Sequence, residues 1–511
     1  MTATSARTAL CAVLALAACA RAPLVSEIAG DVAPPMTVRE LPVTTASDIA
    51  RAELLVGERL LDVGRPELAT PHFRNAVAED PAFAYAWLNL AFAAQSAADY
   101  KSSLDMAAAR LAGKSVAESL LVDIGRTFLD NDRARRRELA QTLTSVYPDV
   151  ARAWLVLGNS WVALARHEEA RAAYRRALSL DRRLFAAHAA LGGSFLFGEP
   201  RDRAMAEQQM QGAIAVATSA AERAKGYELL GDVHRASGRL AEARDAYARA
   251  AAEDATLAVA MLKQGHIESF LGDQPAARAA YDRALAGARG GQRIAYANYR
   301  AFTHVHADDP RTAIAELRRL ADSADRMDVP ASEVPGLRAF TFSNAATIGL
   351  HHDLLDEAAR DVGALAAAMR ADAAMTRDTA YARQQESAIL LWEGRLAARR
   401  GDVDLARRKA EAYRALVEQE GNPRRLEAYH ALLGLVALRA HEDAKAVEEF
   451  RQASRTDEYV RYLLAIALEN AGRPEEARRL FREVAEWNFN SVGFALVRRD
   501  AMRRGGVVTM K

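Results

Sequence analysis

From about residue 51 to the C-terminal end, apolar side chains return every three or four positions, in runs of one to two dozen residues separated by short polar gaps. That period places them on one face of an α-helix, and no comparable run alternates as a half-buried strand would. The runs also repeat. Residues 229–250 read LLGDVHRASGRLAEARDAYARA and residues 263–284 read KQGHIESFLGDQPAARAAYDRA. Gly231, Gly238, Ala243, Tyr247 and Ala250 reappear 34 residues later as Gly265, Gly272, Ala277, Tyr281 and Ala284. Each unit therefore predicts two helices that meet at a small residue, with an aromatic side chain filling the adjacent hole and a glycine near the turn. One such pair cannot bury its apolar face alone, so the chain repeats it.

The first-helix small residue falls in turn at Gly57, Ala91, Gly125, Gly158, Gly192, Gly231, Gly265, Ala301, Ala346, Gly394, Gly434 and Ala465. Early spacings stay near 34, and the later ones reach 45 and 48, so the second part should have longer helices. A regular array is expected over 51–321, a polar linker over 322–336 (DSADRMDVPASEVPG), and a divergent array over 337–485. Residues 486–511 should form a capping helix and tail. In that stretch Asn490 or Ser491 would cap the helix, Phe494 and Val497 would cover the last repeat, and the arginines would face water.

The repeat at Trp154, WLVLGNSWVALARHEEARAAYRRAL, spaces Trp154, Leu157, Gly158, Trp161, Ala170, Tyr174 and Ala177 in the manner of the tetratricopeptide repeat (TPR). The resemblance extends over nearly all the chain after residue 50. It implies an all-α fold, a TPR-like α-solenoid with a superhelix of about twelve helix-turn-helix repeats. It also implies protein partners held in a concave groove lined by the first helices. In that geometry the groove positions are Tyr85, Phe92, Asn159, Lys225, Glu228, Asp232, Arg235, His266, Asn298 and Phe302. The family's carboxylate clamp is not supported. Asn159 and Lys225 stand at clamp positions, but Leu155, Ala190 and Leu229 occupy the others.

Both cysteines lie near the N-terminus, Cys11 and Cys19. Arg7 precedes a short apolar run that ends Leu16-Ala17-Ala18-Cys19 and is too short to span a bilayer. This resembles a bacterial lipoprotein signal. The resemblance implies removal of residues 1–18, lipid attachment at Cys19, and a flexible tether over 19–50. Ala20 in place of Asp implies the outer membrane, facing the periplasm. A mature chain of this kind keeps no free thiol, which excludes disulfide and thiolate-metal chemistry.

Basic and acidic residues nearly balance, 68 against 67, so no bulk attraction to nucleic acid follows. Gly113-Lys114-Ser115 ends like a phosphate loop, but Ala108 stands where the leading glycine is needed. The His304/His306 and His351/His352 clusters lack metal-ligand spacing, and no G-x-S-x-G occurs. The expectation is a lipid-anchored scaffold or adaptor of an envelope assembly, secretion or export complex. It is not expected to be an enzyme, to carry a cofactor or metal, or to bind nucleic acid. The alternative is an envelope glycan-binding protein or enzyme, with Tyr85, Phe92, Phe270 and Phe302 stacking on sugars.

Overall fold

The computed structural model describes residues 40–418, 420 and 422–507. The signal at 1–18, Cys19 and the tether up to residue 39 lie outside the described residues. Among the described residues the fold is all-α, with 25 α-helices and no strand.

The helices run in twelve antiparallel pairs followed by one more. In the first part these are α1 (Asp48–Asp62) and α2 (Pro66–Glu79), α3 (Ala84–Ala93) and α4 (Ala97–Ala108), and α5 (Val116–Leu129) and α6 (Arg133–Val146). Next come α7 (Ala151–Ala163) and α8 (His167–Leu180), then α9 (Phe185–Phe197) and α10 (Arg203–Val216). They are followed by α11 (Ala220–Ala236) and α12 (Leu240–Glu253), α13 (Ala258–Leu271) and α14 (Gln274–Gly287), and α15 (Gly291–His306) and α16 (Pro310–Ser323). The later pairs are α17 (Val334–His351) and α18 (Leu355–Thr376), α19 (Thr379–Arg399) and α20 (Val403–Val417), α21 (Leu426–Arg439) and α22 (Asp443–Gln452), and α23 (Glu458–Asn470) and α24 (Pro474–Ala485). The final helix is α25 (Val492–Gly505). Each small residue of the predicted register lies on the first helix of a pair, and α18 and α19 lengthen to 22 and 21 residues.

Close approach explains the register. A Cβ built on Gly158 would stand 2.2 Å from the Tyr174 ring, and one on Gly231 2.4 Å from Tyr247. Only hydrogen fits between the helices there, and the tyrosine supplies the volume that fills the gap. The turn between helices needs a left-handed residue. Gly272 takes φ +88° between α13 and α14, and Ala165 takes the same role at φ +58° between α7 and α8.

The described residues form two compact units, one up to Gly226 and one from Tyr227, so the division falls within α11. The expected linker is structured at both ends. A 3-10 turn spans Ala324–Arg326 and α17 starts at Val334. Buried Ala324 and Val334 pack with Ile294, an apolar contact hidden among polar neighbours.

In the N-terminal unit the last residues of the expected tether are held down. Leu41 is buried, the Thr44 hydroxyl donates to Glu118 at 2.7 Å, and Thr45 donates to Asp80 at 2.6 Å. Ser115 donates to the Pro42 carbonyl and, with Glu118, forms the capping box of α5, so the Gly-Lys-Ser stretch is a helix start. Val63, just after α1, packs with Phe185 and Ala213 of α9 and α10. Arg152 on α7 pairs with Asp62 at 2.6 Å. Repeats far apart in sequence therefore touch.

The C-terminal unit also closes on itself. Ser491 caps α25 by accepting from the Phe494 N–H, and Val497 joins the core beneath Phe481. Phe494, however, reaches α13, edge-to-face on Phe270 with ring centroids 5.4 Å apart. Val492 and Ala495 pack with Ala301 and Phe302 of α15 and with Ala345 and Ile348 of α17. Arg498 does not face water but stacks over Phe270 at 5.4 Å. Val497 thus covers the last repeat as expected, whereas the expectations for Phe494 and for Arg498 are corrected, since both reach Phe270.

Candidate partner groove

The first helices present the side chains that the register selects, yet most of those side chains are not open. Tyr85, Phe92, Glu228, Asp232, Arg235, His266, Asn298 and Phe302 are all buried, while Asn159 and Lys225 are half-buried. The expectation of an exposed lining is corrected for the eight buried residues.

In the N-terminal unit Phe92 fills the core against Tyr100 and Phe128. Tyr85 lies beside Glu58, whose carboxyl is held well above its usual range by burial, against the pull of Arg152. Asn159 accepts from the Tyr174 hydroxyl at 2.7 Å, so it braces the glycine–tyrosine contact of its own repeat. In the C-terminal unit the Asn298 amide donates to Thr341 and accepts from Asn344, linking α15 to α17. Phe302 belongs to the apolar cluster beneath α25.

Glu228, Asp232 and Arg235 do come together, with two residues the register did not select. Lys263 donates to Glu228 and, at 2.6 Å, to Asp232. Asp232 also accepts from Arg235 at 3.0 Å and from the Tyr247 hydroxyl at 2.7 Å. Burial works against the charge on Arg235 and Lys263, but their acidic and phenolic neighbours outweigh it and hold both above their usual values. Two anions and two cations compensate each other, so this floor needs no charged visitor.

Beside it His266 takes the hydrogen bond of the Tyr281 hydroxyl at 2.8 Å. Burial, with Arg235 and Lys263 nearby, pushes its pKa well below the usual histidine value and keeps it neutral. Over this surface lie residues 487–490, Trp-Asn-Phe-Asn. The Arg235 guanidinium sits 4.2 Å from the centre of the Phe489 ring, and the Asn488 amide donates to the Arg235 carbonyl at 3.4 Å. Asn490 uses both ends of its amide. Its nitrogen donates to Tyr281 at 3.2 Å and lies 3.3 Å from His266, and its oxygen faces His306 at 3.2 Å. The chain thus covers this part of its own groove. Sequence reading missed this because no local pattern links Phe489 to Arg235.

His304 pairs with Glu316 at 3.2 Å, and His351 with the Tyr459 hydroxyl at 3.0 Å. No group of three or more His, Cys, Asp or Glu side chains among the described residues is arranged to hold a metal ion. The aromatics proposed for sugar stacking, Tyr85, Phe92, Phe270 and Phe302, are all buried, which removes the residues on which the glycan alternative rested.

The family model described as tetratricopeptide repeat matches residues 151–183, which hold Gly158 and Tyr174. Among the described residues twelve consecutive helix pairs share the register of that repeat, an all-α arrangement consistent with a TPR solenoid. Solved structures similar to it include the APC/C hetero-tetramer Cut9–Hcn1, at 14% identity over 89% of this chain and 76% of that one, TM-score 0.40. A TPR protein from Parabacteroides merdae is 12% identical over 55% of this chain and 98% of that one, TM-score 0.32. A monomeric mutant of IFIT1 with Gppp-AAAA is 14% identical over 86% and 91%, TM-score 0.38. No curated protein matches the chain.

Proposed function

We propose that the protein is a lipid-anchored adaptor on the periplasmic face of the outer membrane, which binds partner proteins of an envelope assembly or export complex and performs no catalysis. One observation carries the reading. The described chain is spent almost entirely on TPR helix pairs, an architecture that commonly mediates protein–protein interaction. The Leu16-Ala17-Ala18-Cys19 sequence supports the anchor. The multiple acyl chains of a processed lipoprotein would hold it stably.

The test combines location and capture. A photo-crosslinking residue at Lys225, half-buried in the N-terminal unit, should trap one or a few envelope proteins from intact cells. One on an outward face of a second helix, at Arg176, should not. Cys19→Ser should release the protein from outer membranes or leave an unprocessed precursor. A Cys19→Ser chain that fractionates and weighs as the parent does removes the anchor. Equal, unselective trapping at Lys225 and Arg176 removes the adaptor.

A further inference from the structure

We propose that one edge of the N-terminal unit rests on the membrane surface, and that exposed apolar side chains at this edge enter the lipid headgroup layer. The proposal rests on the anchored reading and gives the N-terminal unit an orientation on the membrane.

Antiparallel pairing brings the starts of α1, α3, α5 and α7 and the ends of α2, α4, α6 and α8 to the same edge. Among the described residues of this unit, four large apolar side chains are exposed: Ile49 at 61%, Val116 at 54%, Val146 at 47% and Phe197 at 41%. Ile49 lies in the first turn of α1, Val116 opens α5 and Val146 closes α6, so three of the four share this edge. Phe197 closes α9 and lies at the opposite edge. Pro42, Pro81 and Pro148 are exposed in the segments that lead into α1, α3 and α7. Half-buried Trp87 and Trp154 donate their indole N–H groups to the carbonyls of Pro81 at 3.1 Å and Pro148 at 2.9 Å. The Arg110 guanidinium stands 5.1 Å from the centre of the Trp87 ring, and that of Arg176 5.9 Å from the centre of Trp154. Tryptophan beside arginine, among exposed apolar side chains, is a composition that settles at the level of lipid headgroups.

The chain itself indicates lipid as the occupant. It comes onto the unit at this edge, where Ser115 donates to the Pro42 carbonyl at 2.7 Å, Lys114 to the Thr44 carbonyl at 3.2 Å and Thr45 to Asp80 at 2.6 Å. From Pro42 back to Cys19 the covalent chain spans at most roughly 80 Å, so an anchor there keeps this edge within reach of the bilayer. Tethering makes the contact intramolecular, and a few side chains then suffice where free association needs a large interface. Arg110, Lys114, Arg182 and Arg183 stand at this edge with Asp48, Asp149 and Asp181. These opposite charges offset each other, so burial of apolar surface drives the contact. Separate apolar side chains set among charges suit a fluid headgroup layer and not the close-packed centre of a protein interface.

The probe is a vesicle of phosphatidylethanolamine and phosphatidylglycerol, and the protein is the full chain carrying its lipid. A photo-crosslinking residue at Val116 or at Val146 should form adducts with the mass of a phospholipid at least fivefold more often than one at Phe197. Equal lipid yields at the three positions, or none at any, overturn the proposal. So do adducts at Val116 and Val146 with a second copy or another protein, in place of lipid, when the same chains are irradiated in intact cells. Should a labelled chain lose the circular-dichroism melt of the parent, amide exchange on the parent decides. Amides 114–118 and 144–147 should exchange at least fivefold more slowly on vesicles than in detergent while 195–199 stay unchanged, and a uniform change or none overturns it. Cys19→Ser reads the anchor separately. If that change frees the chain from outer membranes while the parent shows no lipid preference at Val116 and Val146, the orientation falls and the anchor stands. A lipid preference there in a chain that Cys19→Ser leaves on the membrane does the reverse.

Discussion

Gly158 and Tyr174 form the contact on which a repeat turns. A methyl group at Gly158 would lie 2.2 Å from a ring that is itself fully buried. Alanine normally favours a helix over glycine by about 0.5–1 kcal/mol, but overpacking a core contact costs about 1–3 kcal/mol. Gly158→Ala should therefore destabilise the N-terminal unit, as a lowered denaturation midpoint would show. Buried titratable groups act in opposite directions with pH. The folded pKa of Glu58 lies above its unfolded value, so its contribution is full below about 4.5 and is lost as pH rises through the folded value. Glu58→Gln should raise Tm by a few degrees at pH 8 and leave it unchanged at pH 4. His306 is the reverse case, lowered to about 4 chiefly by burial. Its contribution is present above about 6.5 and is lost as pH falls toward 4. Between pH 7 and pH 5 the parent should lose about 1–2 kcal/mol relative to His306→Gln, measured by urea denaturation at both values.

Helices and their pairing were legible because the information is local. Period, small-residue register and turn residues all lie within one repeat, and each first-helix position from Gly57 to Ala465 falls where the spacing puts it. Caps were legible only in part. Ser491 caps α25 as expected, whereas Arg171 could not be read as the guard of another helix's end. Its guanidinium is buried and donates to the carbonyls of Ser194, Gly198 and Pro200 at 2.8–3.0 Å, closing the C-terminus of α9. Arg171→Ala should cost about 3–5 kcal/mol by stranding those carbonyls, and Lys should not rescue it because one ammonium cannot serve both the carbonyls and Glu168 as the two guanidinium nitrogens do. A melt of the three proteins side by side tests both statements.

Within each unit the repeats do more than stack on their neighbours. Sequence reasoning expects a chain of nearest-neighbour contacts, in which deletion of Arg152–Leu184 shortens the array and spares the rest. The Arg152–Asp62 ion pair and the Val63–Phe185–Ala213 cluster tie the first repeat to later ones. That deletion should instead unfold the N-terminal unit cooperatively. Circular dichroism retaining helicity in proportion to the remaining repeats would contradict this. In the C-terminal unit α25 ties α13, α15 and α17 to α24 in the same way.

The sequence alone determined the all-α class, the twelve pairs and the identity of their contact residues, because a helix period and a 34-residue repeat are written in near neighbours. It also marked Glu228, Asp232 and Arg235 as one side of a surface. Only the tertiary structure decided that Lys263 neutralises them and that Phe489 and Asn490, more than 200 residues away, lie across Arg235 and His266. Within the C-terminal unit the packing of α25 on α13, α15 and α17 brings such residues together, and no single stretch of sequence carries a contact of that kind.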